Sequence, residues 1–201
     1  MSLRDFLAQY GTSVSQLPRI AGRYVGGSVV VCGDAHCIWA DLGRLGCRSG
    51  NGVARKGWDF MLVNRMVEVF PGRVEHAYSN VAEVLIRHVR CRRDEYMHEF
   101  GMPLACHSRT DGTDWVWPWH GGGTSGLGAI LTAIALGYER IVLAGLPLDN
   151  GPHNGEPFWR KTRFEVEAPD DDPHWQRAIK FAFDGKVKSM SGRTKQWLGS
   201  P

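Results

Sequence analysis

Short apolar runs alternate along the chain with longer stretches in which apolar residues recur at helical spacing. The clearest run, 28–33 (SVVVCG), is β-branched and closed by glycine, which predicts a buried strand. The other apolar runs are shorter or less regular, and they predict further strands of one sheet. The predicted strands are 28–33, 58–64, 73–77, 104–107, 140–143 and 186–190.

Helical periodicity fills the gaps between these strands, and 1–20 carries an amphipathic helical pattern that ends at Pro18. The clearest helix, 124–136, ends at Gly137 and leads into the strand 140–143, which is a typical helix–turn–strand unit. The remaining helices are predicted within 34–45 and at 81–90 and 174–183.

Strands that alternate with helices predict an α/β fold, with a Rossmann-like parallel sheet and helices on both faces. At 201 residues the chain fits a single domain, with an N-terminal helical extension at 1–22. The segment 146–173 is rich in Pro, Asp, Asn and Gly, and we expect a long loop or lid there.

Composition and charge narrow the classes of function. Apolar residues make up 43% and charged residues 22%, as in ordinary globular domains, and the net charge of +3 does not indicate a nucleic-acid partner. The five cysteines are irregularly spaced without a CxxC pair, so we expect reduced thiols and a cytoplasmic location. Neither a secretory signal nor an apolar run long enough to span a membrane is visible. The oligomeric state stays open.

The first candidate site is the glycine-rich start of the clearest predicted helix. Gly122, Gly123 and Gly126 allow the backbone to approach a ligand closely, and Thr124 and Ser125 add hydroxyl groups. A helix start also presents unbonded N–H groups and the positive end of the helix dipole. The pattern predicts a site for phosphate or carboxylate, and the alternative is an ordinary helix N-cap.

Two predicted strands end in residues that suit a nucleotide, because ligands of parallel sheets bind beyond the carboxyl ends of the strands. Gly33 and Asp34 close the first strand. Asp34 would contact a ribose, a base or an acceptor hydroxyl, or alternatively cap the next helix. Asn64 ends the next strand, where its amide would contact a base or sugar edge or simply form a turn.

Two histidines flank the long loop. His174 follows the acidic cluster 170–172, and a nearby carboxylate would raise its pKa toward neutrality, as a general acid or base requires. The alternative for His174 is a surface residue at a helix start. His153 lies close in sequence to Asp149 and Glu156, but the spacing matches no established metal pattern, so no metal site is predicted.

The run 124–145 (TSGLGAILTAIALGYERIVLAG) resembles the central motif of the bacterial sialyltransferases of glycosyltransferase family 42. In that family a Thr-Ser-Gly opens a small-residue helix, which is followed by ALGY, a turn and a strand that ends in Gly. The archaeal 6-hydroxymethylpterin diphosphokinases, which resemble the sialyltransferases in fold, have the same arrangement. The strand 28–33, Asn64 and His174 follow the order of the family's other landmarks.

The resemblance implies a transferase that takes a nucleotide or nucleotide sugar as donor and a small molecule or glycan as acceptor, with no metal required. Thr124 and Ser125 would contact the donor's phosphate and sugar. Asn64 would contact its nucleotide, and His174 would deprotonate the acceptor hydroxyl.

Two departures from the family's pattern bear on these roles. The family has Asn in its first turn, where this chain has Asp34. Two family tyrosines that support the leaving phosphate have no match after Gly145, and His153 or Arg160 would have to replace them.

Two alternatives therefore stay open beside glycosyl transfer. The resemblance to the diphosphokinases implies pyrophosphoryl transfer to a small heterocyclic alcohol. That reaction requires Mg²⁺, which Asp34, Asp149 or the cluster 170–172 would hold. The other alternative is a nucleotide-binding module without catalytic activity.

Overall fold

The computed structural model describes residues 8, 12–49, 52–96, 98–119, 123–149, 151–155, 173–181 and 183–201. Seven strands form one sheet with parallel neighbours throughout, and β2 and β3 form a separate antiparallel hairpin. The strands are β1 (Ser28–Cys32), β2 (Arg48–Ser49), β3 (Gly52–Val53), β4 (Asp59–Val63), β5 (His76–Tyr78), β6 (Ala105–Ser108), β7 (Trp115–Val116), β8 (Arg140–Ala144) and β9 (Val187–Ser189). The α-helices in these ranges are α1 (Ile38–Arg44), α2 (Met66–Val69), α3 (Ala82–Cys91), α4 (Ser125–Leu136), α5 (Pro173–Phe181) and α6 (Gly192–Leu198). None of these helices is both long enough and apolar enough to cross a bilayer.

The strand order of the sheet is β7-β6-β5-β4-β1-β8-β9. The chain adds strands on one side of β1 until β7, and then crosses through α4 to place β8 on the other side of β1. This reversal makes a switch point between β1 and β8, and in open parallel sheets a crevice opens there at the carboxyl ends of the strands.

Both faces of the sheet are covered, which explains why β1 is a continuous apolar run and not an alternating one. Val29 and Val31 belong to a core that contains most of α4. Val30 and Cys32 belong to a second core with Ile38 of α1. A parallel sheet with helices on both faces confirms the predicted α/β class.

The N-terminal segment differs from the sequence-based prediction. The described residues 12–20 contain a 3₁₀ turn at Val14–Gln16 and no α-helix, so the helix predicted to continue to Pro18 is wrong there. Ser13 and Gln16 stabilise the turn by a reciprocal capping box, which offers the backbone an alternative to the helix. Other elements that the sequence did not predict, β2, β3, β7, α2 and α6, are too short to show a clear period.

Candidate functional site

A cavity of about 390 Å³ opens at the carboxyl edge of the sheet, beside the switch point between β1 and β8. The residues after β1, β4 and β8 line it together with the first turn of α4. The lining includes most of the residues that the sequence indicated, namely Gly33, Asp34, Asn64, Thr124, Ser125, Gly126 and His153. Parts of the chain that are distant in sequence therefore meet at one cavity of small-molecule size.

Close packing of two strand ends shapes one wall of this cavity. The Gly33 N–H donates to the Ala144 carbonyl at 2.9 Å, and the Ala35 N–H donates to the Gly145 carbonyl at 3.2 Å. A Cβ atom at Gly33 would overlap the Leu146 side chain and the Gly145 carbonyl. Glycine is therefore required at position 33 for this close approach.

The buried carboxylate of Asp41 fixes the end of β8. Its Oδ2 accepts hydrogen bonds from the Gly145 N–H at 2.9 Å and from Ser191 Oγ at 2.7 Å. Cys37 Sγ lies 3.2 Å from the same Ser191 hydroxyl, and burial raises the pKa of the Cys37 thiol to about 11. The thiol is therefore neutral and a poor nucleophile at physiological pH. Asp41 positions the cavity wall, a role that its place in a helical pattern did not indicate.

Asn64 combines an uncommon backbone conformation with a buried polar atom. Its φ of 51° lies in the left-handed region, which Asn tolerates better than most residues. The Asn64 N–H donates to the Tyr78 carbonyl at 3.0 Å, so the backbone is held between β4 and β5. Its side-chain Oδ1 is buried, and nothing in the described part of the chain donates to it. Such an atom carries a desolvation cost that a donor on a ligand would remove.

The first turn of α4 begins at the cavity. Thr124 is the N-cap, and its Oγ1 accepts a hydrogen bond from the Leu127 N–H at 3.2 Å. This hydroxyl therefore has the capping role that was the alternative to ligand binding. Ser125 and Gly126 carry the first N–H groups of the helix, for which α4 itself has no acceptor. These groups are the part of a helix start that binds anions.

Asn80, which the sequence analysis missed, ties this helix start to the sheet. Its Nδ2 donates to the Gly123 carbonyl at 3.2 Å, and its N–H donates to Ser125 Oγ at 3.3 Å. The Tyr78 hydroxyl donates to Asn80 Oδ1 at 3.2 Å. Burial raises the pKa of Tyr78, so this hydroxyl stays a donor at any physiological pH.

Helix α5 docks on the start of α4 through Trp175. The indole is fully buried, and its Nε1 donates to Thr124 Oγ1 at 3.3 Å. His174 lies beside Gly123, because a Cβ built at Gly123 would be 3.5 Å from His174 Cβ. His174 itself is half-buried and does not belong to the cavity lining. The predicted base is therefore next to the predicted anion site but not in the cavity wall.

The described part of the predicted lid folds back on the turn after β1. Ala35 and His153 form an isolated antiparallel bridge, and the Asn154 N–H donates to the Asp34 carbonyl at 2.8 Å. His153 Nδ1 lies 3.2 Å from the same carbonyl oxygen. Leu148, which also lines the cavity, has a φ of 50°, a strained conformation for a branched aliphatic residue.

Two pairs of polar side chains at the cavity were not identified from the sequence. Arg65 Nη1 donates to Asp34 Oδ2 at 3.3 Å and to the Asn154 carbonyl at 3.1 Å. His88 lines the cavity, and its Nδ1 lies 2.5 Å from Glu68 Oε1. Arg65 directly follows a predicted strand end, and this position could have identified it as a site residue. The sequence contains no comparable signal for His88 and Glu68, because only the packing of α3 against α2 brings them together.

Some predicted residues fall outside the described ranges. These are Gly122, Arg160 and the acidic cluster 170–172, whose roles stay predictions. Among the residues with described positions, no three His, Cys, Asp or Glu side chains are grouped as a metal site requires. Asp34 and Asp149 both line the cavity.

Comparison with known proteins found no matching family model, no matching curated protein and no matching solved structure.

Proposed function

We propose that this protein is a transferase that binds a nucleotide-activated donor in the cavity at the carboxyl edge of the sheet. The observation that supports this best is the meeting of the ends of β1, β4 and β8 with the start of α4 around one cavity. Open parallel sheets bind nucleotides at this position, with the phosphates at a helix start.

We assign one binding role to each part of the cavity. The first N–H groups of α4, at Ser125 and Gly126, bind the donor's phosphate. Asn64 Oδ1, buried in the wall, accepts a hydrogen bond from the base or sugar. Asp34, oriented by Arg65, accepts a hydrogen bond from a ribose or acceptor hydroxyl.

The reaction that fits best is sialyltransferase-like glycosyl transfer, which the motif at α4 also favours. His174 takes the proton of the acceptor hydroxyl, and the acceptor oxygen then attacks the anomeric carbon of the donor sugar. The bond between that carbon and the phosphate oxygen breaks, and its electron pair leaves with the nucleotide. The helix start and His153 stabilise the phosphate as this charge develops.

A second candidate is pyrophosphoryl transfer to a small heterocyclic alcohol. Asp34 and Asp149 line the same cavity, and carboxylate oxygens are the ligands that Mg²⁺ prefers. In that reaction the nucleotide would bind much more tightly with Mg²⁺ than without it. Nucleotide affinity measured with Mg²⁺ and with a chelator therefore separates the two reactions.

We propose a cytoplasmic location, because nucleotide-activated donors are made in that compartment. All five cysteines are free, as the reducing conditions of that compartment would keep them.

Nucleotide binding is tested by thermal shift with CMP, UDP, ATP and their sugar conjugates, because a ligand that binds only the folded state raises Tm. We expect one nucleotide class to raise the Tm and Asn64→Asp to abolish that shift. Asp tolerates the left-handed conformation as Asn does and keeps the Oδ1 acceptor, but it adds a negative charge to the cavity wall, which would repel the anionic nucleotide. Gln196→Glu adds the same charge at an exposed position outside the cavity and should leave the shift intact. If none of these compounds raises the Tm, the proposal fails.

The base is tested separately from binding. His174→Ala should abolish transfer and leave the nucleotide-induced Tm shift unchanged, while Gln176→Ala on the same helix should change neither. Full transfer activity in His174→Ala would rule out the base role. Binding without transfer in the unchanged chain, over a panel of acceptors, would leave only a nucleotide-binding module.

A further inference from the structure

A second cavity, of about 580 Å³, lies at the opposite edge of the sheet from the candidate site. Arg140 opens β8, while Trp58 and Lys186 directly precede β4 and β9, and all three line this cavity. The amino ends of parallel strands share one edge, so this second cavity is remote from the cavity at the carboxyl ends. The two cavities are therefore separate sites, and their described lining residues do not overlap.

We call this second cavity the basic groove, because six cationic side chains line it. The only side-chain carboxylate in its described lining is that of Glu139. The cations are Arg44, Arg55, Arg140, Lys186, Lys188 and Lys195. Within the described ranges, Arg44 is the one member of this set that forms an ion pair, at 2.5 Å to Asp41. The whole chain carries a net charge of only +3, so positive charge is concentrated on this face.

Several of these cations are held in place. The Arg55 guanidinium lies 4.5 Å from the centre of the Trp58 ring, and the Arg140 guanidinium lies 5.6 Å from it. Arg55 Nη1 also donates to the Leu45 carbonyl at 3.0 Å. Lys188 Nζ donates to the Leu198 carbonyl at 3.1 Å. A fixed set of donors costs a ligand less ordering than mobile side chains would.

We propose that the basic groove binds a chain of phosphate groups, the chemistry that oligophosphates share with a nucleic-acid strand. Like charges gathered in a concave surface repel one another and focus a positive potential. A ligand with several adjacent phosphates neutralises several of these cations at once, and guanidinium groups bind phosphate in a bidentate manner. The volume of 580 Å³ is that of a site for a ligand of nucleotide size.

The test measures the binding of inorganic tripolyphosphate and of an oligothymidylate of about ten nucleotides, at low and at physiological salt. The groove variant is Arg140→Gln, Lys186→Gln and Lys195→Gln combined, because all three side chains are exposed and should be replaceable without unfolding. The matched control removes the same number of positive charges outside the groove, by Arg19→Gln, Arg23→Gln and Arg90→Gln combined. These three arginines are also exposed. We expect the groove variant to lose at least about tenfold in affinity and the control to lose much less.

The outcomes separate the sources of the ligand and the two sites. Binding of tripolyphosphate that depends on the groove residues indicates an oligophosphate ligand, and binding of the oligothymidylate alone indicates a nucleic-acid strand. The inference is overturned if neither probe binds at low salt, or if the groove variant binds as tightly as the control. It is also overturned if Asn64→Asp, in the other cavity, abolishes the binding while the groove variant keeps it.

Discussion

His76 and His107, on the neighbouring strands β5 and β6, are joined by a hydrogen bond of 3.0 Å between His76 Nδ1 and His107 Nε2. Trp117 Nε1, which can only donate, bonds to His107 Nδ1 at 3.0 Å and so fixes the proton of His107 on Nε2. His76 Nε2 must then donate to the Tyr138 hydroxyl at 2.9 Å, and that hydroxyl donates to Asp59 Oδ2 at 2.5 Å. The chain of bonds runs in one direction, and both imidazoles are neutral.

This arrangement predicts a loss of stability in mild acid. Burial lowers the pKa of His76 to about 4. Burial also lowers the pKa of His107 well below its ordinary value, and the nearby His76 ring lowers it further. The unfolded chain therefore binds more protons than the folded chain below about pH 6.5, and stability falls as the pH drops toward 4. We expect the free energy of unfolding in urea to fall by roughly 3 kcal/mol from His76 alone between pH 7 and pH 4, and His107 adds a further loss of the same sign.

A variant without the titrating group checks the cause. His76→Gln should lower stability at pH 7 and flatten the dependence between pH 6.5 and 4, since one of the two shifted groups is gone. Gln196→Ala, at an exposed residue that does not titrate, should keep the wild-type slope. If the free energy of unfolding depends on pH equally in the wild type and in both variants, the acid sensitivity comes from groups other than His76.

Arg92 is a buried cation that backbone carbonyls satisfy. Its Nε donates to the Gly101 carbonyl at 2.7 Å, and its Nη1 and Nη2 donate to the carbonyls of Val67, Phe70 and Gly72 at 3.0, 2.8 and 2.8 Å. Burial lowers its pKa to about 10, so the guanidinium stays charged at neutral pH. Arg92→Met would leave these carbonyls without donors, and we expect a loss of about 3–5 kcal/mol in the free energy of unfolding.

The adjacent arginine is the control for this experiment. Arg93 is exposed and pairs with its neighbour Asp94, a contact of the kind that contributes little to stability. Arg93→Met should therefore change the urea midpoint only slightly. Equal effects of the two substitutions would show that the carbonyl bonds of Arg92 are not what stabilises this region.

The sequence predicted the central elements of the fold because their patterns are set by local physics. A strand buried on both faces is a continuous apolar run, and 28–33 corresponds to β1. A helix that ends in a left-handed residue strongly favours glycine, and Gly137 has a φ of 101° at the end of α4. Elements of two to four residues, such as β7 and α2, are fixed by neighbours in space and leave no such pattern.

The candidate site was predictable to the same degree. The strand-end residues Asp34 and Asn64 share the cavity with Ser125, because the carboxyl ends of parallel strands meet at one edge. The groups that position them, such as Asp41 and Asn80, are brought to the cavity by packing between distant segments. The basic groove could not be predicted from the sequence either, because its cations are far apart along the chain and only the fold brings them together.

Gly128 marks a close contact between α4 and the sheet. A Cβ there would lie 2.8 Å from Tyr78 Cε1 and closer still to the Tyr78 hydroxyl. Gly128→Ala must therefore displace a buried ring that also bonds to Asn80, and we expect a loss of about 1–3 kcal/mol in urea unfolding.

The same substitution at Gly43 should have the opposite sign. Gly43 lies in α1, and a Cβ there would meet nothing within 4 Å. Gly43→Ala should therefore stabilise the protein by roughly 0.5–1 kcal/mol through helix propensity. If both glycines tolerate alanine equally, α4 does not pack on Tyr78 as closely as the contact requires.

Asn64 lets backbone strain be separated from side-chain chemistry. Asn64→Gly removes both the left-handed strain and the buried oxygen that lacks a donor among the described residues, so we expect stability equal to or above wild type. Asn64→Ala removes the same oxygen but keeps the left-handed backbone, and it should unfold about 1 kcal/mol more easily than the glycine variant. The difference between the two urea midpoints reports the left-handed strain less the entropy that the more flexible glycine loses on folding, and an alanine variant as stable as the glycine variant would contradict the strain. Because both variants lack the amide, the proposed nucleotide-induced Tm shift should be lost in both, whichever of them is the more stable.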